Sequence, residues 1–186
     1  MGADVPKEPP DEAYGRVTNP ERFQPLHRAA LELIARLATD YEVDRADGTD
    51  LDPEAARLWP GSRSTRLIPA DGAPLTFTFT PFPGISLRFG YHGRDTFPPC
   101  GCDACNEDPT EEARRMTEVA SDVVAGGLSE TRRRRVFRSD IYESRLIRRD
   151  GGVWGRSGPA PTDPDPDPVD KMPLGTTDWS AWGAVP

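Results

Sequence analysis

The stretch Leu75-Thr76-Phe77-Thr78-Phe79-Thr80, followed by Pro81-Phe82-Pro83-Gly84 and then Ile85-Ser86-Leu87-Arg88-Phe89-Gly90-Tyr91-His92, decides the fold. Apolar side chains alternate with threonine in the first arm. In the second they alternate with Ser86, Arg88, Gly90 and His92. A period of two is the mark of a strand with one face on a core and one polar face. The Pro-Phe-Pro-Gly link joins the arms as a hairpin. If the period holds, His92 lies on the polar face beside Arg88.

Upstream of the hairpin, Asn19-Pro20-Glu21 starts a helix: cap, proline at the first helical position, acid in the first turn. Pro25 interrupts it, so one turn over 20–23 should precede a main helix from about 25 to 40. Phe23, Leu26, Ala30, Leu33, Leu37 and Tyr41 recur at helical spacing as its buried stripe. A short strand starts near Tyr41–Val43, and Ala46–Asp50 reads as a loop. Asp52-Pro53-Glu54 caps a short helix that Pro60-Gly61 stops, and Thr65–Pro69 is a candidate strand.

Downstream, Asp108-Pro109-Thr110-Glu111 starts a helix with Met116, Val119, Ala120 and Val123 inward; Gly126-Gly127 ends it. Strands are expected over Thr131–Phe137 and Ile141–Arg148. Asp150-Gly151-Gly152 then turns the chain before Val153-Trp154. The expected fold class is α+β: an antiparallel sheet against two main helices, with a cysteine knuckle loop between sheet and second helix. Residues 13–156 form the single domain, residues 1–12 a disordered tail, and 157–186 a Pro/Asp-rich linker and tryptophan-containing tail. Pro161-Thr162-Asp163-Pro164-Asp165-Pro166-Asp167-Pro168 favours extended polyproline II. Trp179 and Trp182 beyond it either pack back onto the domain or serve as a recognition segment. Packing is preferred, because exposed tryptophans are uncommon.

The chemistry concentrates in Cys100-Gly101-Cys102-Asp103-Ala104-Cys105, which holds all three cysteines of the 186-residue chain. Thiolates at this spacing can converge on one soft metal ion, and structural Zn²⁺ is the first choice. Gly101 lets the backbone turn between two ligands. A fourth ligand must come from elsewhere. His92 leads, since Tyr91-His92-Gly93 ends a strand just before the loop; Asp95, Asp103 and Glu107 are the others. The plainer alternative is three reduced thiols in a turn. A redox alternative uses the Cys102/Cys105 C-x-x-C pair, with Cys105 near a helix N-terminus that would lower its pKa. No thioredoxin-like βαβ context surrounds it, and a Cys–His92 nucleophile pair lacks a hydrolase signature. His27 reads as a partly buried packing residue.

The formal net charge of −8 argues against a nucleic-acid binder that relies on overall charge. Arg132 to Arg135, with Arg138 nearby, reads as a solvated sheet edge; nucleic-acid binding is the weaker reading, for want of interleaved aromatics. No apolar run approaches a membrane span, and no apolar stretch marks a secretory leader in the opening residues. These features point to a cytoplasmic protein with reduced cysteines. No P-loop, G-x-G-x-x-G, H-E-x-x-H or G-x-S-x-G occurs.

Tyr14-Gly15-Arg16-Val17-Thr18-Asn19-Pro20-Glu21-Arg22-Phe23, with Pro25-Leu26-His27 behind it, and Cys100-Gly101-Cys102-Asp103-Ala104-Cys105 with Glu107 behind it, resemble an actinobacterial family of unknown function. The resemblance covers about residues 13–155. It implies an α+β cytoplasmic protein and carries over no catalytic residue. The functional expectation is a non-enzymatic binding or interaction module whose knuckle holds structural Zn²⁺ through Cys100, Cys102, Cys105 and His92. A thiol-based enzyme is the alternative. A further alternative, resting on size and acidity, is an immunity-type protein neutralising a basic protein partner.

Overall fold

The computed structural model describes residues 10–159 and 172–186. The stretch Pro161–Pro168 and residues 1–9 of the expected N-terminal tail lie outside them. Order is present by Asp11–Ala13, a 3-10 turn that brings the chain to Tyr14.

The fold is α+β with two antiparallel sheets. A turn at Pro20–Phe23 leads into helix α1 (Gln24–Asp40), with Pro25 in the first turn, where its missing amide costs nothing. The buried stripe is Leu26, Ala30, Leu33, Ile34 and Leu37. A five-stranded meander follows: β1 (Val43–Gly48), β2 (Arg63–Pro69), β3 (Leu75–Phe79), β4 (Ile85–Phe89) and β5 (Gly93–Phe97), each paired with the next. Helix α2 (Pro53–Leu58) interrupts it between β1 and β2, with the Asp52 carboxylate accepting from the Ala55 amide as its cap. Ala46–Gly48, expected as loop, is strand. Its ladder to Arg66, Thr65 and Ser64 outweighs the turn-forming composition.

The expected hairpin forms, with Phe77 opposite Leu87 and Thr78 opposite Ser86. Leu75, Phe77, Ile85, Leu87, Phe89 and Phe97 join α1 and helix α3 (Pro109–Val124) in one core that includes Met116, Ala120 and Val123. The opposite face is polar but not solvated. Ser64, Thr76, Thr78, Ser86 and Arg88 are all buried there, and Asp52 sits over it.

The strands after α3 do not extend the first sheet. They form a second one, in the order β8 (Val153–Pro159), β7 (Ile141–Ile147), β6 (Leu128–Arg133), β9 (Gly175–Asp178). β6 starts three residues earlier than expected, directly after the Gly126-Gly127 stop. It ends at Arg133, so Arg134–Asp140 is the hairpin loop. The packed body also extends past residue 156, where the sequence reading ended it. β8 runs on to Pro159, and β9 pairs with β6 from the far side. Trp182 is buried in the main core with its indole N–H on the Ala73 carbonyl at 3.0 Å. Gly126, at φ +80°, lets Ala181 approach; a Cβ there would stand 2.7 Å from the Ala181 nitrogen. No helix among the described residues is long and apolar enough to cross a membrane.

Candidate metal centre

The knuckle follows β5 through a cis Phe97–Pro98 bond. Gly101 adopts φ +114°, the conformation that L side chains rarely adopt, and packs under aromatic rings. A Cβ on it would meet Phe82 Cζ at 2.8 Å and Phe23 Cε2 at 3.5 Å. Space and backbone conformation both require glycine here.

The segment before α1 holds the knuckle in place. The Asp103 amide donates to the Arg16 carbonyl at 2.8 Å, and the Ala104 amide to the Ala13 carbonyl at 3.2 Å. Arg22 donates from Nη2 to the carbonyls of Gly101 and Cys102. The Asp103 carboxylate accepts from the Thr18 amide, the Thr18 hydroxyl and Arg16 Nε, all within 3.1 Å. Thr18 and Arg16 thereby hold Asp103 below the usual carboxylate range.

This scaffold brings the three thiols together. The Sγ atoms of Cys100, Cys102 and Cys105 all lie within 4.8 Å of one another. Cys102 is buried, while Cys100 and Cys105 are exposed. The Cys105 amide donates to the Cys102 sulfur at 3.4 Å. That bond, together with donation from the Cys100 and Cys105 thiols and the Gly15 amide, lowers the Cys102 pKa to about 6. The Cys105 thiol is pushed up to about 12, chiefly because it donates its proton to Cys102 and lies beside Cys100. This reverses the expectation that Cys105 would be the acidic thiol. α3 begins only at Pro109, with Asp108 capping it, so the adjacent sulfurs dominate over the helix end.

The other expected ligands are placed elsewhere. β4 ends at Phe89 and Gly90 turns the chain at φ +62°, and His92 stays within electrostatic reach of Arg88 and Arg94 on the polar face. His92 lies in the turn just before β5, while the cysteines follow the strand's other end, about 16 Å of strand away. Its amide donates to Glu130 Oε1 at 2.7 Å, and its ring packs on Tyr142 at 5.4 Å between centroids. Burial, reinforced by Arg156, lowers its pKa. Asp95 accepts from the Thr96 amide and faces Arg115 of α3. Asp103 is saturated as described. Glu107 has a buried Oε2 with no hydrogen-bond partner, but it does not join the thiol group. Among the described residues no fourth His, Cys, Asp or Glu completes the set. His27 packs as expected, edge-on to Phe79 with Nε2 3.1 Å from the Gly84 carbonyl. A cavity of about 170 Å3, walled by Trp59, Phe82, Ile85 and Phe97, reaches the knuckle at Cys100.

Two buried polar centres were not foreseen from the sequence, although Asp52 itself was read as a helix cap. Asp52 is fully buried and receives both Nη atoms of Arg94 at 2.8 Å; the same guanidinium reaches Ser86 and Glu54. Burial pushes the Asp52 carboxyl up, but the hydrogen bonds and charge of Arg94 outweigh it, and the net shift is down. Glu130, also fully buried, accepts from the Tyr91 and His92 amides, the Ser144 hydroxyl and the Trp179 indole. It joins the β4–β5 turn to the second sheet and to the C-terminal segment. The sequence neighbours mark Asp52 as a cap but not as the partner of Arg94, and they do not mark Arg94 or Glu130 at all.

Fold and knuckle together define an α+β protein with two antiparallel sheets and three cysteines placed so that they can hold a metal ion. The chain belongs to a family of unknown function, DUF6226, whose model matches residues 3–185. No curated protein and no solved structure matches the chain.

Proposed function

We propose that this protein is a non-enzymatic binding module whose knuckle holds a structural Zn²⁺ through Cys100, Cys102 and Cys105. The observation that carries the reading is the mutual approach of the three sulfurs within 4.8 Å. Sulfurs on one tetrahedral zinc stand about 3.8 Å apart, given Zn–S bonds of about 2.3 Å, so small side-chain rotations suffice. The donor set is soft, which favours zinc over calcium or magnesium. The proton arrangement fits as well. The Cys105 amide and the neighbouring thiols lower the Cys102 pKa, and a bound divalent cation would favour the thiolate further.

The bound ion would staple residues 13–22, which cover the knuckle, to the loop that leaves β5. The chain supplies three thiolates among the described residues, so the fourth corner of the tetrahedron is filled from outside that set. Such a site belongs in a compartment that keeps thiols reduced, which suits the cytoplasm.

A thiol-enzyme reading draws on the low pKa of Cys102. Burial counts against it: Cys102 is 4% exposed, leaving a substrate little access to the sulfur.

The test is elemental mass spectrometry on untagged protein, alongside thiol titration. About one zinc per chain, with thiols unreactive until a chelator is added, supports the reading. No metal and three freely titrating thiols would discard it.

A further inference from the structure

The tip of the β6–β7 hairpin is the least expected surface on the molecule. The first two arginines of its basic run are engaged within the fold. Arg132 pairs with Asp140, donates to the Met172 carbonyl and lies over the Tyr142 ring; Arg133 pairs with Glu143. Beyond them the chain leaves the sheet, and Arg134, Arg135, Val136, Phe137 and Arg138 are all exposed. No ion pair is found for Arg134, Arg135 or Arg138 among the described residues. Val136 is 77% exposed and Phe137 100%. Phe137 also adopts φ +63°.

A bulky residue at positive φ is an outlier, and the usual tenants are glycine and asparagine. Here the fold gains nothing from the phenylalanine: its ring touches no core and its backbone would suit glycine better. A side chain that is locally unfavourable and unpacked is accounted for by what it meets outside the molecule.

We propose that this tip is a peripheral docking site for an anionic phospholipid surface. Val136 and Phe137 form an adjacent apolar pair at the apex, which fits the hydrocarbon boundary of a bilayer. Arg134, Arg135 and Arg138 flank that pair within three positions, where lipid phosphates lie. Nucleic acid fits less well, since an aliphatic valine offers no face for base stacking and one aromatic gives a single platform. The chain as a whole is negative, so an anionic surface would attract this tip in preference to the rest. No described helix is able to span a bilayer, so the contact is peripheral. This inference does not depend on the metal reading.

The experiment is co-sedimentation of the full chain with phosphatidylcholine vesicles, with and without phosphatidylglycerol, at low and high salt. Binding is expected only with phosphatidylglycerol and should weaken with salt. Reversing Arg134, Arg135 and Arg138 together to glutamate should weaken it by on the order of a hundredfold, at roughly fivefold or more per arginine. Phe137→Gly should weaken it roughly tenfold while leaving the melting temperature unchanged or higher. The proposal is overturned by absence of binding to the anionic vesicles, or by equal binding of the variants. It is equally overturned by a fall in melting temperature for Phe137→Gly, which would give the ring a structural role, or by preferential binding of a single-stranded DNA oligonucleotide.

Discussion

The knuckle and the Asp52–Arg94 network are two places where ionisable side chains crowd together, and they are built in opposite ways. The knuckle draws its three sulfurs from six consecutive positions and leaves two of them exposed. The network draws its members from α2, β3, β4 and β5; Asp52 and Arg94 stand 42 positions apart, and the carboxylate has no solvent access. Every Asp52 oxygen is met by a guanidinium, an amide or a hydroxyl. Of the thiols, by contrast, the buried Cys102 is met by the Cys105 amide while its two neighbours stand exposed. A closed set of this kind stabilises one arrangement of the chain. An open set retains capacity for an added cation.

The strongest way to break this contrast is to remove Arg94. Arg94→Ala leaves Asp52 buried without its counter-charge and is expected to cost about 3–5 kcal/mol, read by urea unfolding. A cost below about 1 kcal/mol would show the network to be dispensable. Next in size is metal removal. If the knuckle holds zinc, a chelator should destabilise the protein by about 2.7 kcal/mol relative to metal at a hundred times its dissociation constant. Cys102→Ser should abolish that difference.

Gly101→Ala tests the scaffold beneath the sulfurs. It should cost about 1–3 kcal/mol through its left-handed backbone and the Phe82 contact, and lower metal occupancy with it. The pH response sharpens the same comparison. The folded-state pKa of Asp52 lies below its ordinary value of 3.8. Its stabilisation is therefore present above that value and lost as pH falls through the lower folded value. In metal-free protein, thiolate absorbance should show one sulfur ionising near pH 6, whereas Cys105 keeps its proton to about 12. The smallest effect is expected from His92→Ala, which should leave metal content unchanged, because β5 separates His92 from the thiols.

The sequence made legible what short-range chemistry controls. Alternation from Leu75 to Phe89, the helical stripe from Leu26 to Leu37, and the Asp52 and Asp108 caps all act between near neighbours, and each appears in the structure. The sulfur cluster was legible for the same reason. His92 was expected beside the cysteines because it stands only eight positions before Cys100, but β5 runs between them and carries the thiols to its far end. Glu130 and Arg94 were not legible at all. Their partners lie about 40 positions away or come from other strands, and nothing beside them in the chain differs from a surface glutamate or arginine. The second sheet was missed because strand propensity does not say which neighbour a strand will pair with.

The seat of Trp182 imposes an order in time. The indole fills a place in the main core between α3 and the β2–β3 turn. In synthesis, the strands and helices up to Pro159 precede it. At roughly 5–20 residues per second, the stretch from there to Trp182 takes about one to five seconds to add. A body that folded before Trp182 and β9 were in place would carry an apolar vacancy in its core and an unpaired outer edge on β6. A chain truncated before Trp182 is therefore expected to expose that vacancy and that edge, and so to aggregate more readily than the full chain.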